Sequence, residues 1–207
     1  MTAFAGQTVS AVLGHLAAPT PSPGGGVAAA LAGAMGAALG EMCAALPRTR
    51  RGSADERARL VDAARDLAAH RARLVALADD DGDAVRALMA ASRLPSDSEP
   101  ERAARREALG EATRRATRVP LDTVRTCAAA LDRMREVAAH GARVAASDVQ
   151  VAIGLLKTSA DGAASNVRAN LQLLDDETWV RDTTRELSRA LDGVARRAHD
   201  AVVALRA

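Results

Sequence analysis

The chain has 207 residues, 48% of them hydrophobic, with 28 Lys and Arg set against 26 Asp and Glu, which suits one domain with a sizeable aliphatic core. Aromatics make up 1%, Phe4 and Trp179 with no tyrosine, which excludes the stacking platforms of single-strand nucleic-acid binders, and a net charge of +2 spread at helical spacing gives no basic face for a duplex. Cys43 and Cys127 lie far apart in apolar runs, and the N-terminus shows no basic region followed by an apolar stretch and cleavage site, so a cytoplasmic protein with free thiols is expected.

Apolar residues recur at three- and four-residue spacing almost throughout, and no segment alternates like a strand. The pattern predicts an all-α fold, an antiparallel bundle of five or six long helices forming one domain over 1–207. A first helix is expected from Phe4 to Leu16, stopped by "APTPSPGGG". The second runs from about Gly26 to just before Pro47. Its apolar run Val27 to Leu39 is too short for a membrane span, and burial in a core is the expected fate. Gly26, Ala30, Gly33, Ala37 and Gly40 follow steps of four and three, so they line one face that lets another helix backbone come close, inside the chain or across a dimer. The turn in front, Pro23, Gly24, Gly25 and Gly26, leaves backbone N–H groups and the positive end of a helix free to meet a carboxylate or a polarised carbonyl.

Ser53 with Glu56, Ser98 with Glu101 and Ser147 with Gln150 have capping-box spacing, and they predict helices over 54–91, 99–139 and 148–174. Inside the first of these, "LADDDGDAVRALM" gathers Asp79, Asp80, Asp81 and Asp83 around Gly82. Mutual repulsion weakens a helix here, and glycine adds roughly 1 kcal/mol against alanine. The default is a solvated turn between two helices with Asp80 or Asp81 as N-cap. The functional reading is a part-buried carboxylate whose raised pKa suits acid/base chemistry. Pro120 should kink or divide the 99–139 segment, and His140-Gly141 should stop it. On the helix over 148–174, Asp148, Ser159, Asn166 and Asn170 fall on a narrow polar line between leucines. Part-buried amides need partners, whether a neighbouring helix, a symmetric interface or a ligand. A last helix is expected from Glu177 to Leu205. Asp62, Asp66 and His70 share a wet helix face among arginines, and no metal site is expected there.

The stretches "PSPGGGVAAALAGAMGAALGEM", "DDDGDAVRALMAASRLP", "EATRRATRVPL", "ASDVQVA" and "GAASNVRANL", in this order, resemble the cyclodeaminase/cyclohydrolase family of folate enzymes over about Pro21 to Leu171. That family includes the cyclodeaminase domain of formiminotransferase-cyclodeaminase and the bacterial methenyltetrahydrofolate cyclohydrolases. The resemblance implies an all-helical homodimer acting on a tetrahydrofolate derivative, with no permanently bound cofactor and neither a nucleic acid nor a membrane as partner. It also implies that an aspartate in "DDDGDAV" is catalytic, with Asp81 the best match and Asp79 the second. Pro23, Gly24, Gly25, Gly26, Arg115, Asp148, Asn166 and Asn170 fall on positions that the family keeps, and the resemblance makes them substrate-binding. The chain departs from the pattern at Val85, where an aromatic is usual, at Ala142, where asparagine is usual, and in "PRTRRGS", where a tyrosine or lysine is usual. Those departures define the alternative, a helical dimer that keeps the scaffold without the chemistry and serves as a folate-binding or assembly partner. The lack of a transferase segment leans the expected direction toward cyclohydrolase.

Overall fold

Side-chain caps set where most of the helices begin. In the computed structural model, which describes residues 3–206, six α-helices follow one another: α1 (Val9–Ala17), α2 (Gly25–Ala45), α3 (Ala54–Ser92), α4 (Glu99–His140), α5 (Ala146–Leu171) and α6 (Glu177–Arg206). The Ser53 and Ser98 capping boxes are both formed. The third is not. A 3-10 turn, Arg143–Ala145, runs straight into α5, so Ser147 lies inside the first turn and makes no cap. The first helix is also shorter than its apolar pattern, because the Thr8 hydroxyl caps it by accepting the Ala11 N–H while Phe4–Gly6 forms a separate 3-10 turn. The acidic stretch is no turn: α3 continues without interruption through Asp79 to Asp83.

The five long helices alternate in direction. α2 runs antiparallel to α3, with Gly26 facing Asp81 and Gly40 facing Leu67, and antiparallel to α5, with Gly25 facing Asn166 and Gly36 facing Leu155. α4 sits centrally, antiparallel to α3 through Arg73–Asp122 and Arg133–Asp66. It runs parallel to α6 through Arg114–Asp176 and Arg197–Asp132. The core is aliphatic, led by Leu60, Leu67, Leu74 and Leu77 of α3, Leu131 and Met134 of α4, and Leu156 of α5, all fully buried.

The small-residue face of α2 is used within the chain. A Cβ at Gly33 would stand 2.6 Å from Ser159 Oγ and 3.1 Å from Cys127 Sγ, and one at Gly40 would overlap Met134. α2 has 21 residues and an apolar window of mean hydropathy 1.5, long and apolar enough by composition to cross a membrane, yet 56% of that window is buried inside the bundle. Its missing side chains explain both facts, since they let three neighbouring helices approach an apolar backbone closely.

Candidate active site

The site forms where the glycine turn meets the middle of α3. Gly24 is the N-cap of α2 and supplies no side-chain hydrogen bond, so the first-turn N–H groups of α2 receive no cap from that position, and one of them, Val27, is taken by Asp81. The antiparallel approach of α3 places the Asp81 carboxylate against Gly26 so closely that a Cβ there would overlap it. Only glycine permits this contact. Burial lifts the Asp81 pKa from its ordinary 3.8 to about 6, and a hydrogen bond from the Val27 backbone N–H limits the rise.

Each neighbouring carboxylate is occupied differently. Asp79 accepts the Phe4 backbone N–H at 2.5 Å, Asp80 pairs with Arg73 at 3.4 Å, and Asp83 pairs with Arg86. Among the described residues no cation pairs with Asp81. The four acids therefore share α3 without sharing a microenvironment, and Asp81 is the one turned toward α2. Gly82 has its own reason: a Cβ there would lie 2.9 Å from the Phe4 ring, so the glycine admits an aromatic from the N-terminal segment. Sequence reading missed this contact, whose one signal was Phe4 itself, an isolated aromatic far from Gly82 in the chain.

Asn166 joins the group from α5. Its amide lies 3.7 Å (Oδ1) and 3.8 Å (Nδ2) from the position of a Cβ on Gly25. Asn166 is half-buried, and within the described chain its side chain makes no hydrogen bond, leaving a donor and an acceptor at the turn. Pro23 is buried behind the turn. Beside it a cleft of about 650 Å³ opens between α1 and the turn, lined by Gln7, His15, Thr20, Ser22 and Pro23.

The remaining expected residues are not gathered at this point. Asn170 donates from Nδ2 to the Ala116 carbonyl at 2.8 Å. That carbonyl is the one Pro120, four residues on, leaves unpaired because it has no N–H. Pro120 thus neither divides nor stops α4, and the Asn170 amide nitrogen is committed to structure. Arg115, next to Ala116, is exposed, and no partner engages its side chain among the described residues. Asp148 lies at the far end of α5, eighteen residues from Asn166 and so about 27 Å away along the helix. There burial, with a smaller contribution from the Asp148 charge, pushes the Cys43 thiol up to about 11. Within one chain Asp148 cannot touch what Asp81 touches. Cys127 is likewise pushed up to about 11 by burial, so neither thiol is ionised near neutral pH. Asp62 and Asp66 are engaged by Arg65 and Arg133.

The sequence pattern of formiminotransferase-cyclodeaminase matches residues 8–189 of the chain. The chain belongs to this family. It is 35% identical over 185 residues, 89% of either chain, to a protein of Methylorubrum extorquens named methenyltetrahydrofolate cyclohydrolase. It is 34% identical over 170 residues to the formimidoyltransferase-cyclodeaminase of Sus scrofa, of which it spans 31%. The crystal structure of a formiminotetrahydrofolate cyclodeaminase from Thermotoga maritima superposes with a TM-score of 0.86 at 26% identity, covering 97% of this chain and 96% of that one. The expected all-helical fold agrees with this likeness, and the family expected from the quoted motifs is the family found.

Proposed function

We propose that the chain is a folate one-carbon enzyme that hydrolyses methenyltetrahydrofolate, with Asp81 as its general acid/base. The observation that carries this reading is a single carboxylate, poised at about 6 by burial, standing over a glycine turn beside an unengaged asparagine. The chain is also 35% identical to a named cyclohydrolase over 89% of both sequences, which supports the hydrolytic direction. In that direction Asp81 takes a proton from water as the water oxygen adds to the methenyl carbon, giving a tetrahedral carbon between two nitrogens. The same proton passes to one nitrogen, whose bond to that carbon breaks. Loss of the hydroxyl proton to solvent then leaves a formyl group on the other nitrogen. Asn166 orients the water or the substrate, and the N–H groups at the start of α2 face the polar edge of the folate.

The cyclodeaminase reading uses the same parts, and the likeness to the Thermotoga maritima enzyme favours keeping it as the second. There one folate nitrogen attacks a formimino carbon and ammonia leaves from the same kind of tetrahedral centre. Loss of methenyl absorbance and release of ammonia from the formimino compound separate the two. Hydrolysis is the expected result. Ammonia release without hydrolysis reassigns the direction, and neither activity overturns the enzyme reading.

The proposal includes a cytoplasmic homodimer with no permanently bound cofactor, since one proton shuttle suffices for either reaction. Support for the dimer comes from the outer side of α2 and α5, where Met35 and Val151 are each 54% exposed. Apolar side chains on two adjacent helices are what a second copy would cover.

A further inference from the structure

At the end of the bundle away from Asp81, the loop after α2 and the start of α3 meet the C-terminal ends of α4 and α6. A cleft of about 670 Å³ lies there, lined by the basic side chains of Arg50, Arg51, Arg59, His140 and Arg143 and by two acids, Asp55 and Glu56. This volume falls inside the roughly 300–1,000 Å³ range of small-molecule sites. Glu56 and Asp81 stand twenty-five residues apart on α3, so the cleft is about 37 Å from the candidate active site along that helix.

The cleft is built rather than incidental. Arg50 is fixed by donating to the Ala138 carbonyl at 2.9 Å and the Ala204 carbonyl at 3.5 Å, which ties the loop to the ends of α4 and α6. Glu56 is buried and its charge is turned inward, accepting the Thr49 hydroxyl and the Arg51 N–H at 2.8 Å each and the Ser53 N–H at 3.4 Å. Those bonds set the loop that carries Arg51. Arg59 reaches Glu136 only at 3.6 Å. Among the described residues the side chains of Arg51 and Arg143 have no hydrogen-bond or ion-pair partner. The start of α3 adds its partial positive charge to the same wall, partly offset by the exposed Asp55 of its first turn, while Glu56 is held inward by its own hydrogen bonds.

We propose that this cleft binds a small polyanion, with Arg51 and Arg143 as its free guanidinium groups and the first turn of α3 between them. Clustered phosphates and clustered carboxylates present the same chemistry to two guanidinium forks. Tripolyphosphate and a tri-glutamate peptide, titrated calorimetrically at low salt, distinguish the two sources. Saturable binding of either to the wild-type chain is expected, at least tenfold weaker in Arg51→Gln/Arg143→Gln and unchanged in Arg196→Gln, an exposed arginine of α6. The probe that binds identifies the group recognised. Circular dichroism of the double variant checks its fold, and the single variants, each expected to lose part of the affinity, serve if the double variant melts early. Absence of saturable binding by both probes overturns the proposal. So does an equal loss in Arg196→Gln, which would mark diffuse attraction by surface charge.

Discussion

Holding Asp81 between α2 and α3 weakens the fold while it prepares the site. Its folded pKa of about 6 lies above the ordinary 3.8, so the folded chain holds a proton that the unfolded chain releases. The contribution of this group to stability is therefore complete below the ordinary value and is lost as pH rises through about 6. Asp81→Asn removes that penalty. By this shift the variant should gain roughly 2–3 kcal/mol above neutral pH, read as a higher melting temperature, and little in acid. A variant that melts lower than wild type at neutral pH would show that the carboxylate stabilises its surroundings. The four acidic residues and the polar line on α5 were legible in the sequence. Which acid faces inward was not, because that depends on the rotation of α3 against α2; the family resemblance pointed to Asp81. Asn170 was legible as polar but not as a partner of Ala116, since the need arises from Pro120 on another helix.

Helices in this chain are joined by repairs and close approaches that give matched tests. Removing the amide in Asn170→Ala leaves the Ala116 carbonyl without a donor, at a cost of about 1–3 kcal/mol. Pro120→Ala supplies the missing N–H. The double variant should therefore be less destabilised by denaturant than the sum of the two single variants, and simple additivity would refute the pairing. The glycines of α2 split into two kinds. Gly33→Val drives a side chain into Ser159 and Cys127, and overpacking of this sort costs about 1–3 kcal/mol, read in the melting temperature. At Gly25 a Cβ meets Asn166 at an ordinary 3.7 Å. Gly25→Val should raise KM while melting changes little, and loss of stability with normal KM would assign the turn to packing. Capping boxes at Ser53 and Ser98 made two helix starts readable to the residue. Ser147 misled because its spacing is correct but the 3-10 turn before it already supplies the first helical residues.

As a whole the molecule buries its long apolar helix α2 mainly in its own core, yet leaves part of that helix uncovered. Met35→Glu places a charge on the exposed side of α2; if the proposed dimer forms, light scattering after size exclusion should report dimers for the wild-type chain and monomers for this variant. A wild-type monomer would remove the dimer from the proposal without touching the site of a single chain. The helical class and the alternation of long helices followed from periodicity, because an aliphatic chain rich in alanine has few other ways to bury itself. Helix neighbours did not follow, since α4 packs parallel to α6 through pairs distant in sequence. Proton transfer by Asp81 is tested most directly by following methenyl absorbance across pH for wild type and Asp81→Asn. The wild-type rate should rise with pH to a plateau, with its midpoint at about 6, and the variant should be slower by about 10²–10⁴-fold with no such midpoint. A variant that turns over at the wild-type rate, or that keeps the same midpoint, would contradict the assignment.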